Sequence, residues 1–216
     1  LLSLKNRGLE HAPMLAIGDG ALGFWNALRK IFPMTKEQRC WFHKKGNVLT
    51  QLPDSLQNKG KSMLREIEQQ PTRELAIKEM KRFEATFGAK YPKAVDCLMK
   101  DQDVLLTFYD FPAEHWQSLK TTNPIESMFA TVKHRTYKSK GCGSRDTYLS
   151  MVFKLTQQAQ GRWRRINAPH LVKLVAAGVT FVNGESVDGS GETAAVSDDV
   201  QTVEAEKEIA KEKIAA

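Results

Sequence analysis

A short apolar run near the start of the chain, residues 13–18 (PMLAIG), ends in glycine and is followed by Asp19 and Gly20. A run of this length, bounded by glycines, is typical of a buried strand. Residues 21–32 then repeat apolar side chains at helical spacing, so a strand, a tight turn and a helix are predicted. Residues 38–42 are a second strand candidate, and a helix can follow at residues 44–52. This alternation predicts an α/β layer and argues against an all-helical protein.

The next region, residues 53–119, predicts only helices. One helix can run from Asp54 to about residue 70, and Thr72 can cap a second one that ends at Gly88. Residues 92–108 carry the apolar side chains of a third helix. Because no strand pattern interrupts this region, we expect an all-helical unit.

Two further helices are expected later in the chain, at residues 124–137 and 145–165, with a glycine-rich turn between them. From residue 183 onward the sequence loses its aromatic side chains and becomes rich in Gly, Ser, Asp and Glu. Such a composition cannot bury enough apolar surface to fold alone. An acidic, mostly disordered tail is therefore expected.

Positive charge is concentrated ahead of that tail. Residues 120–175 contain eleven Lys and Arg against two acids, whereas residues 184–216 contain nine acids and three Lys. A local excess of this size indicates a polyanionic partner such as nucleic acid. A solvated surface without a specific partner is the alternative that the sequence leaves open.

Composition bounds the class of protein. The 216 residues have an apolar content of 41%, which is enough for one domain with an insertion and a tail. The three cysteines, Cys40, Cys97 and Cys142, are odd in number and scattered, which argues against a disulfide framework and for a reducing compartment. There is no apolar run of membrane-spanning length and no signal-peptide pattern. We expect a soluble intracellular protein.

Two acids are the candidate chemical groups. Asp19 follows a predicted strand, where α/β proteins bind their ligands, although Gly-Asp-Gly is also ordinary turn sequence. Glu126 lies three residues after Asn123, a spacing that also fits a helix capping box. Lys133 follows Glu126 by seven residues, or about two turns on the same helical face. A metal-binding carboxylate beside a phosphate-binding lysine is therefore one interpretation, and a turn residue with a helix cap is the other.

Cys40 and His43 form a Cys-x-x-His motif that invites a zinc interpretation. A structural zinc site has four ligands, and this motif supplies two. The other Cys and His residues have no partner at zinc-finger spacing. A packed Cys with a hydrogen-bonded His is therefore favoured over zinc.

Several side chains are candidates for contacts with DNA. Trp116 can pack in the core, or it can stack on an unpaired base. Basic side chains of the last two predicted helices and of the adjoining segments can contact backbone phosphates. These are Lys133, Arg135, Lys138, Lys140, Arg145, Arg162, Arg164 and Arg165.

Five ordered blocks of the sequence resemble the Mutator-type transposases of bacterial insertion sequences. The blocks are IGDGALGFW (17–25), RCWFH (39–43), FPAEHW (111–116), TTNPIES (121–127) and KGCGSR (140–145). Their order and separations fit that family, and the resemblance extends from about residue 1 to residue 185.

The resemblance implies a catalytic domain like ribonuclease H, which is a mixed sheet flanked by helices, with an all-helical insertion. Residues 1–52 are then part of that core without its first strands, and residues 53–119 are the insertion. Residues 120–183 are the remainder of the core with its basic helices, and residues 184–216 are the acidic tail.

The same resemblance implies that Asp19 and Glu126 are the second and third acids of a DDE triad. Such a triad binds two Mg²⁺ ions for DNA strand cleavage and strand transfer at the ends of a mobile element. Lys133 matches a basic residue beside the third acid, Trp116 matches the tryptophan of the insertion, and the Cys-x-x-His motif is a family signature of uncertain role. The implied partners are the element ends and target DNA, with a homo-oligomer expected for the full-length protein. The implied location is the bacterial cytoplasm, with association to the nucleoid when the protein is bound to DNA.

The chain departs from the family pattern at its start. The triad needs a first Asp on an early strand, and the sole acid before Asp19 is Glu10. Residue 1 is Leu, and residues 2–7 predict the end of a helix closed by Gly8. We therefore expect a carboxyl-terminal fragment that binds DNA without cleaving it. The alternative is a non-catalytic DNA-binding remnant of a broken element that interferes with an intact copy.

Overall fold

The computed structural model describes residues 1–138 and 144–187. The helices in these ranges are α1 (Leu2–Asn6), α2 (Leu22–Ile31), α3 (Trp41–Leu49), α4 (Asp54–Glu68), α5 (Arg73–Phe87), α6 (Pro92–Met99), α7 (Gln102–Leu105), α8 (Trp116–Leu119), α9 (Asn123–Lys138), α10 (Arg145–Gln160) and α11 (Leu171–Ala176). The strands are β1 (Leu15–Gly18), β2 (Lys36–Arg39), β3 (Phe181–Val182) and β4 (Glu185–Ser186). The protein is helix-rich with small sheets, which is consistent with the predicted α/β class.

The opening strand, turn and helix are present as predicted. β1 and β2 pair in parallel, with Gly18 opposite Arg39, and α2 connects them. Trp25, Leu28 and Phe32 from the α2 region form a small buried cluster that packs near β1. Because the two strands are parallel, their carboxyl ends lie at the same edge of the sheet.

The second strand starts two residues earlier and ends three residues earlier than predicted. β2 ends at Arg39, and Trp41 already begins α3. The backbone N–H of Cys40 donates to the Gly18 carbonyl at 2.8 Å, which extends the pairing of the strands by one bond. Trp41 then turns into the helical region, where its indole Nε1–H donates to the Leu105 carbonyl at 2.9 Å. This large side chain is fully buried at the start of α3.

Residues 53–119, the helical block, contain α4 to α8. Thr72 caps α5 as predicted, because its Oγ1 accepts from the Leu75 N–H at 3.3 Å. The predicted third helix at residues 92–108 is divided into α6, α7 and a short 3-10 segment. In a continuous α-helix the Leu105 carbonyl would accept from Tyr109, but the Tyr109 N–H donates to Leu106 at 3.2 Å instead. The break leaves the Leu105 carbonyl free to bind side chains of β2 and α3.

The helical block holds the main hydrophobic core. Its fully buried side chains include Leu64, Phe83 and Tyr109. The block also covers β2, because the buried Gln38 amide accepts from the Phe108 N–H at 2.8 Å and donates to the Leu105 carbonyl at 3.0 Å. The strand that leads to the candidate site is therefore fixed to this core.

The last two long helices are much less buried. Val132 is the buried side chain of α9, and α10 has none among its described residues. α10 ends at Gln160, earlier than the predicted residue 165, with Gly161 at its C-cap. In the described residues, no helix has the length and apolar content needed to cross a membrane.

A hairpin of β3 and β4 was not predicted. Residues 185–186, which were assigned to the tail, form its second strand. Asn183 and Gly184 at the turn have φ values of +50° and +88°. The Gly184 carbonyl accepts from the Ala113 N–H at 3.2 Å, so the hairpin packs on the helical block. The rest of the predicted tail, residues 188–216, lies outside the described residues.

Candidate active site

Asp19 lies directly after β1, at the carboxyl edge of the sheet, and its side chain is exposed. Its carboxylate Oδ1 accepts from the Ala21 N–H at 3.0 Å. Its backbone carbonyl accepts from the Trp25 indole N–H at 2.7 Å and from Arg39 Nη1 at 2.6 Å. Three hydrogen bonds therefore fix the turn that carries this acid.

Glycine flanks Asp19 because both neighbouring positions are crowded. A Cβ at Gly18 would lie 2.8 Å from the indole Cζ2 of Trp25. A Cβ at Gly20 would overlap the guanidinium group of Arg39. The Gly-Asp-Gly sequence thus allows two large side chains to approach the backbone of the acid.

A buried ionic network ties this turn to the helical block. Arg39 Nε lies 3.6 Å from the carboxylate of Asp101, which also pairs with Lys44 Nζ at 2.5 Å. The Lys44 side chain is 1% exposed, and its ammonium donates to the Cys97 carbonyl at 2.5 Å. Sequence reasoning missed Arg39, Lys44 and Asp101, because long-range pairing of charges leaves no periodic or motif signal.

Cys40 and His43 lie at the same edge, at the start of α3. The Cys40 thiol is fully buried, with His43 Nδ1 at 3.3 Å from its sulfur. Thr122 Oγ1 lies 3.4 Å from the same sulfur, and its single proton is shared between this sulfur and the Glu126 carboxylate. Burial raises the pKa of Cys40, but the hydrogen bonds from Thr122 and His43 outweigh it and lower the pKa to about 7. The packed Cys with a hydrogen-bonded His is the arrangement that the sequence favoured over zinc.

Glu126 lies in the first turn of α9 and faces this pair. Its Oε1 accepts a short hydrogen bond from the Thr122 hydroxyl and lies 3.6 Å from His43 Nε2. The capping-box alternative required Glu126 to accept from the Asn123 N–H, but that N–H donates to Thr121 Oγ1 at 3.1 Å. Glu126 therefore contacts α3 and the segment before α9 without closing a capping box.

A series of contacts leads from the Asp19 turn to Glu126 through Cys40. Its N–H binds the carbonyl of Gly18, the residue before Asp19. Its sulfur contacts His43 and Thr122, and both of these contact Glu126. In residues 1–138 and 144–187, no group of three or more His, Cys, Asp or Glu side chains is arranged to hold a metal ion.

The predicted DNA-contacting side chains lie on α9, on α10 and just beyond α10. All of the described members are exposed: Lys133, Arg135, Lys138, Arg145, Arg162, Arg164 and Arg165. Lys140 lies outside the described residues. Lys133 follows Glu126 on the same helix, as predicted.

Trp116 begins α8 in the helical block, and its side chain is half-buried. Its ring packs on Phe108 and Tyr109 with centroids 5.3 and 4.8 Å away, and its indole N–H donates to the Phe111 carbonyl at 2.9 Å. Lys120 Nζ lies 5.5 Å from the ring centroid. These contacts are the ones that core packing predicts, and base stacking by Trp116 stays a prediction.

Comparison with known proteins identifies insertion-sequence transposases as relatives of the chain. The chain is 55% identical over 188 residues to the transposase for insertion sequence element IS6120 of Mycolicibacterium smegmatis, covering 87% of this chain and 58% of that protein. It is 53% identical over 184 residues to the transposase for insertion sequence element IST2 of Acidithiobacillus ferrooxidans, covering 85% and 62%. The chain therefore spans about three fifths of the length of these relatives.

A more distant relative is the transposase for insertion sequence element IS905 of Lactococcus lactis, at 30% identity over 135 residues, 62% of this chain and 34% of that protein. The family described as "Transposase, Mutator family" matches residues 1–166. These matches confirm the resemblance drawn from the five sequence blocks. The chain belongs to the Mutator family of transposases.

Proposed function

We propose that this chain supplies two acids and a DNA-binding surface to the strand cleavage and strand transfer reactions of insertion-sequence transposition. Asp19 and Glu126 are the proposed Mg²⁺ ligands and catalytic acids. The observation that carries the proposal is the chain of contacts from Gly18 through Cys40 to Thr122, His43 and Glu126. It brings the start of α9 to the edge of the sheet where Asp19 lies. The names of the relatives, all insertion-sequence transposases, support the reaction class.

The two side chains have the chemistry that Mg²⁺ requires. Mg²⁺ prefers oxygen ligands, retains several waters and is commonly bound by one or two carboxylates together with substrate phosphates. Both carboxylates are solvent-accessible, and Glu126 is 46% exposed. When bound, such metal ions activate a water or a DNA 3′-hydroxyl and stabilise the leaving oxygen.

The protein's own groups hold the acids and the DNA. Trp25 and Arg39 hold the backbone carbonyl of Asp19, and the Ala21 N–H holds its carboxylate. Lys133 and the exposed basic groups of α9, α10 and the following segment contact DNA phosphates. A ribonuclease H-like core is part of the proposal, with β1 and β2 as two of its strands and the helical block as its insertion. The parallel pairing of β1 and β2 supports it.

The proposal is tested by Mn²⁺ binding, followed by electron paramagnetic resonance on the 216-residue chain, in parallel with DNA binding by fluorescence anisotropy. Asp19→Asn and Glu126→Gln should each weaken Mn²⁺ binding by about tenfold or more and leave DNA binding intact. Glu84→Gln, on an exposed position of α5, is the matched control and should change neither. Mn²⁺ binding that is indifferent to both site substitutions would contradict the metal role. DNA binding without metal binding would favour the non-catalytic remnant.

A further inference from the structure

We propose that Cys40, His43 and Thr122 are positioning residues that hold the Glu126 carboxylate at the edge of the sheet beside the Asp19 turn. The inference rests on the proposed function for its purpose, because it assigns the Cys-x-x-His motif to the orientation of a metal ligand. None of the three is a metal ligand or a catalytic residue in this account. Each acts through Glu126.

The His43 ring lies between the sulfur and the acid. Its Nδ1 is 3.3 Å from Cys40 Sγ and its Nε2 is 3.6 Å from Glu126 Oε1. An imidazole whose one nitrogen is engaged by a fixed partner has its orientation set, so the other nitrogen points in one direction. The Cys40 N–H donates a hydrogen bond to the Gly18 carbonyl. The orientation of the His43 ring is therefore set relative to β1, the strand that leads to Asp19.

The Thr122 hydroxyl makes the second connection. Its Oγ1 contacts both Cys40 Sγ, at 3.4 Å, and Glu126 Oε1. The backbone carbonyl of Thr122 also accepts from the Glu126 N–H at 3.1 Å. Glu126 is thereby held through its main chain and its side chain by one residue, and that residue is held by the buried sulfur.

A different chemical interpretation is a cysteine nucleophile with a histidine base and a carboxylate partner, because the order of contacts is the same. Burial argues against it. Cys40 is 0% exposed, and its sulfur is enclosed by Thr121, Thr122 and His43. A substrate carbonyl or phosphate cannot reach that sulfur. The exposed end of the cluster is the Glu126 carboxylate, which is the group that the cluster can orient.

Side chains that orient a metal ligand without touching the metal typically affect metal affinity by about 10- to 100-fold. Thr122→Val removes the hydroxyl at nearly constant volume, and Thr122→Ser retains it. Thr122→Val and His43→Ala should therefore weaken Mn²⁺ binding by about tenfold or more, while Thr122→Ser stays within about twofold of the unmodified chain. Alkylation of Cys40 in the folded chain should not occur if the sulfur only positions.

A double-mutant cycle separates positioning from general structural support. In a Glu126→Gln background, His43→Ala should cause no further loss of Mn²⁺ affinity. A His43→Ala effect of undiminished size in that background would overturn the proposal, as would rapid modification of Cys40 by an alkylating agent in the folded chain.

A second measurement does not need metal. Thermal unfolding midpoints of the unmodified chain, His43→Ala, Glu126→Gln and the double variant should be non-additive, because the two side chains contact each other. Additive midpoint shifts would contradict the positioning role. Non-additive shifts in a chain that binds no Mn²⁺ would keep the positioning role and overturn the proposed metal chemistry, so the two failures can be told apart.

Discussion

The helical block and the pair of helices α9 and α10 differ in how they use their side chains. The block buries a large core that includes Phe83 and Tyr109, and its charge is balanced, with ten basic and eleven acidic residues in positions 53–119. The α9 and α10 pair has one buried side chain, Val132, among its described residues, and it exposes large apolar groups such as Phe153. Its surroundings carry a strong positive charge.

This difference indicates that the two regions have different roles. The block contains most of the buried core. Its residues also contact β2, Arg39 and Lys44, which adjoin the candidate site. The pair supplies Glu126 and an exposed basic surface, and little of its free energy comes from its own buried area. Stability should therefore respond to substitutions in the block, and DNA binding to substitutions in the pair.

The largest expected difference comes from the same substitution made in both regions. Phe83→Ala empties a fully buried position of the block and should lower the free energy of unfolding by about 3 to 5 kcal/mol. Phe153→Ala removes a side chain that is 58% exposed on α10 and should change it by less than about 0.5 kcal/mol. Urea unfolding measures both. Similar losses of unfolding free energy for the two variants would contradict the different roles of the two regions in stability.

The ionic network behind Asp19 should give a somewhat smaller effect. Asp101→Ala leaves the buried Lys44 ammonium without its counter-charge, and the cost should be about 3 kcal/mol in urea unfolding. The double variant Lys44→Met, Asp101→Leu should recover most of this loss, because no buried charge remains. Lys133→Met, which alters an exposed position of α9, is the control and should leave stability unchanged. A double variant less stable than Asp101→Ala would show that the charges themselves are needed.

What could be predicted from the sequence follows the same division. The helices α4 and α5 and the Thr72 cap were predicted because their signals are local and periodic. The Asp19 turn was predicted because an apolar run ends in glycines there. The family was predicted from five sequence blocks, and the comparisons with known proteins confirm it.

The rest depended on contacts between distant parts of the chain. The predicted helix at residues 92–108 is divided, and the Leu105 carbonyl that the division leaves free accepts from Gln38 and Trp41, which lie far away in the sequence. The network of Arg39, Lys44 and Asp101 is equally non-local. The hairpin did have a local signal, since Asn183-Gly184 between two short extended segments is a common hairpin turn.

The helix caps of the two regions can be compared in the same way, with an expected loss of unfolding free energy of about 1 kcal/mol for a cap in the block. Thr72 caps α5 in the block, and Ser144 caps α10, where its hydroxyl accepts from the Thr147 N–H at 3.2 Å. Thr72→Ala should lower the global free energy of unfolding by about 1 kcal/mol. Ser144→Ala should leave the global value nearly unchanged and speed amide hydrogen exchange within α10, because that helix opens locally. Hydrogen exchange read by mass spectrometry distinguishes the two, and a global loss from Ser144→Ala would show that α10 is part of the cooperative core.

The smallest expected effect concerns the basic surface. Lys133→Ala should weaken DNA binding a few-fold and reduce the slope of log affinity against log salt by about 1, since one phosphate contact is lost. Lys81→Ala, at an exposed position of α5, should leave both quantities unchanged. Anisotropy titrations across a series of salt concentrations measure this. Equal effects of the two substitutions would mean that binding follows overall charge and not the α9 and α10 surface.

The central claim is that Asp19 and Glu126 belong to one metal site, and Fe²⁺-directed hydroxyl-radical cleavage of the backbone tests it most directly. An iron ion bound in place of Mg²⁺ should cut the chain near both Asp19 and Glu126, because radicals act only close to the ion. Excess Mg²⁺ should suppress both cuts, and Asp19→Asn should remove both together. Cleavage at only one of the two acids, or persistence of the cut near Glu126 in Asp19→Asn, would contradict a shared site.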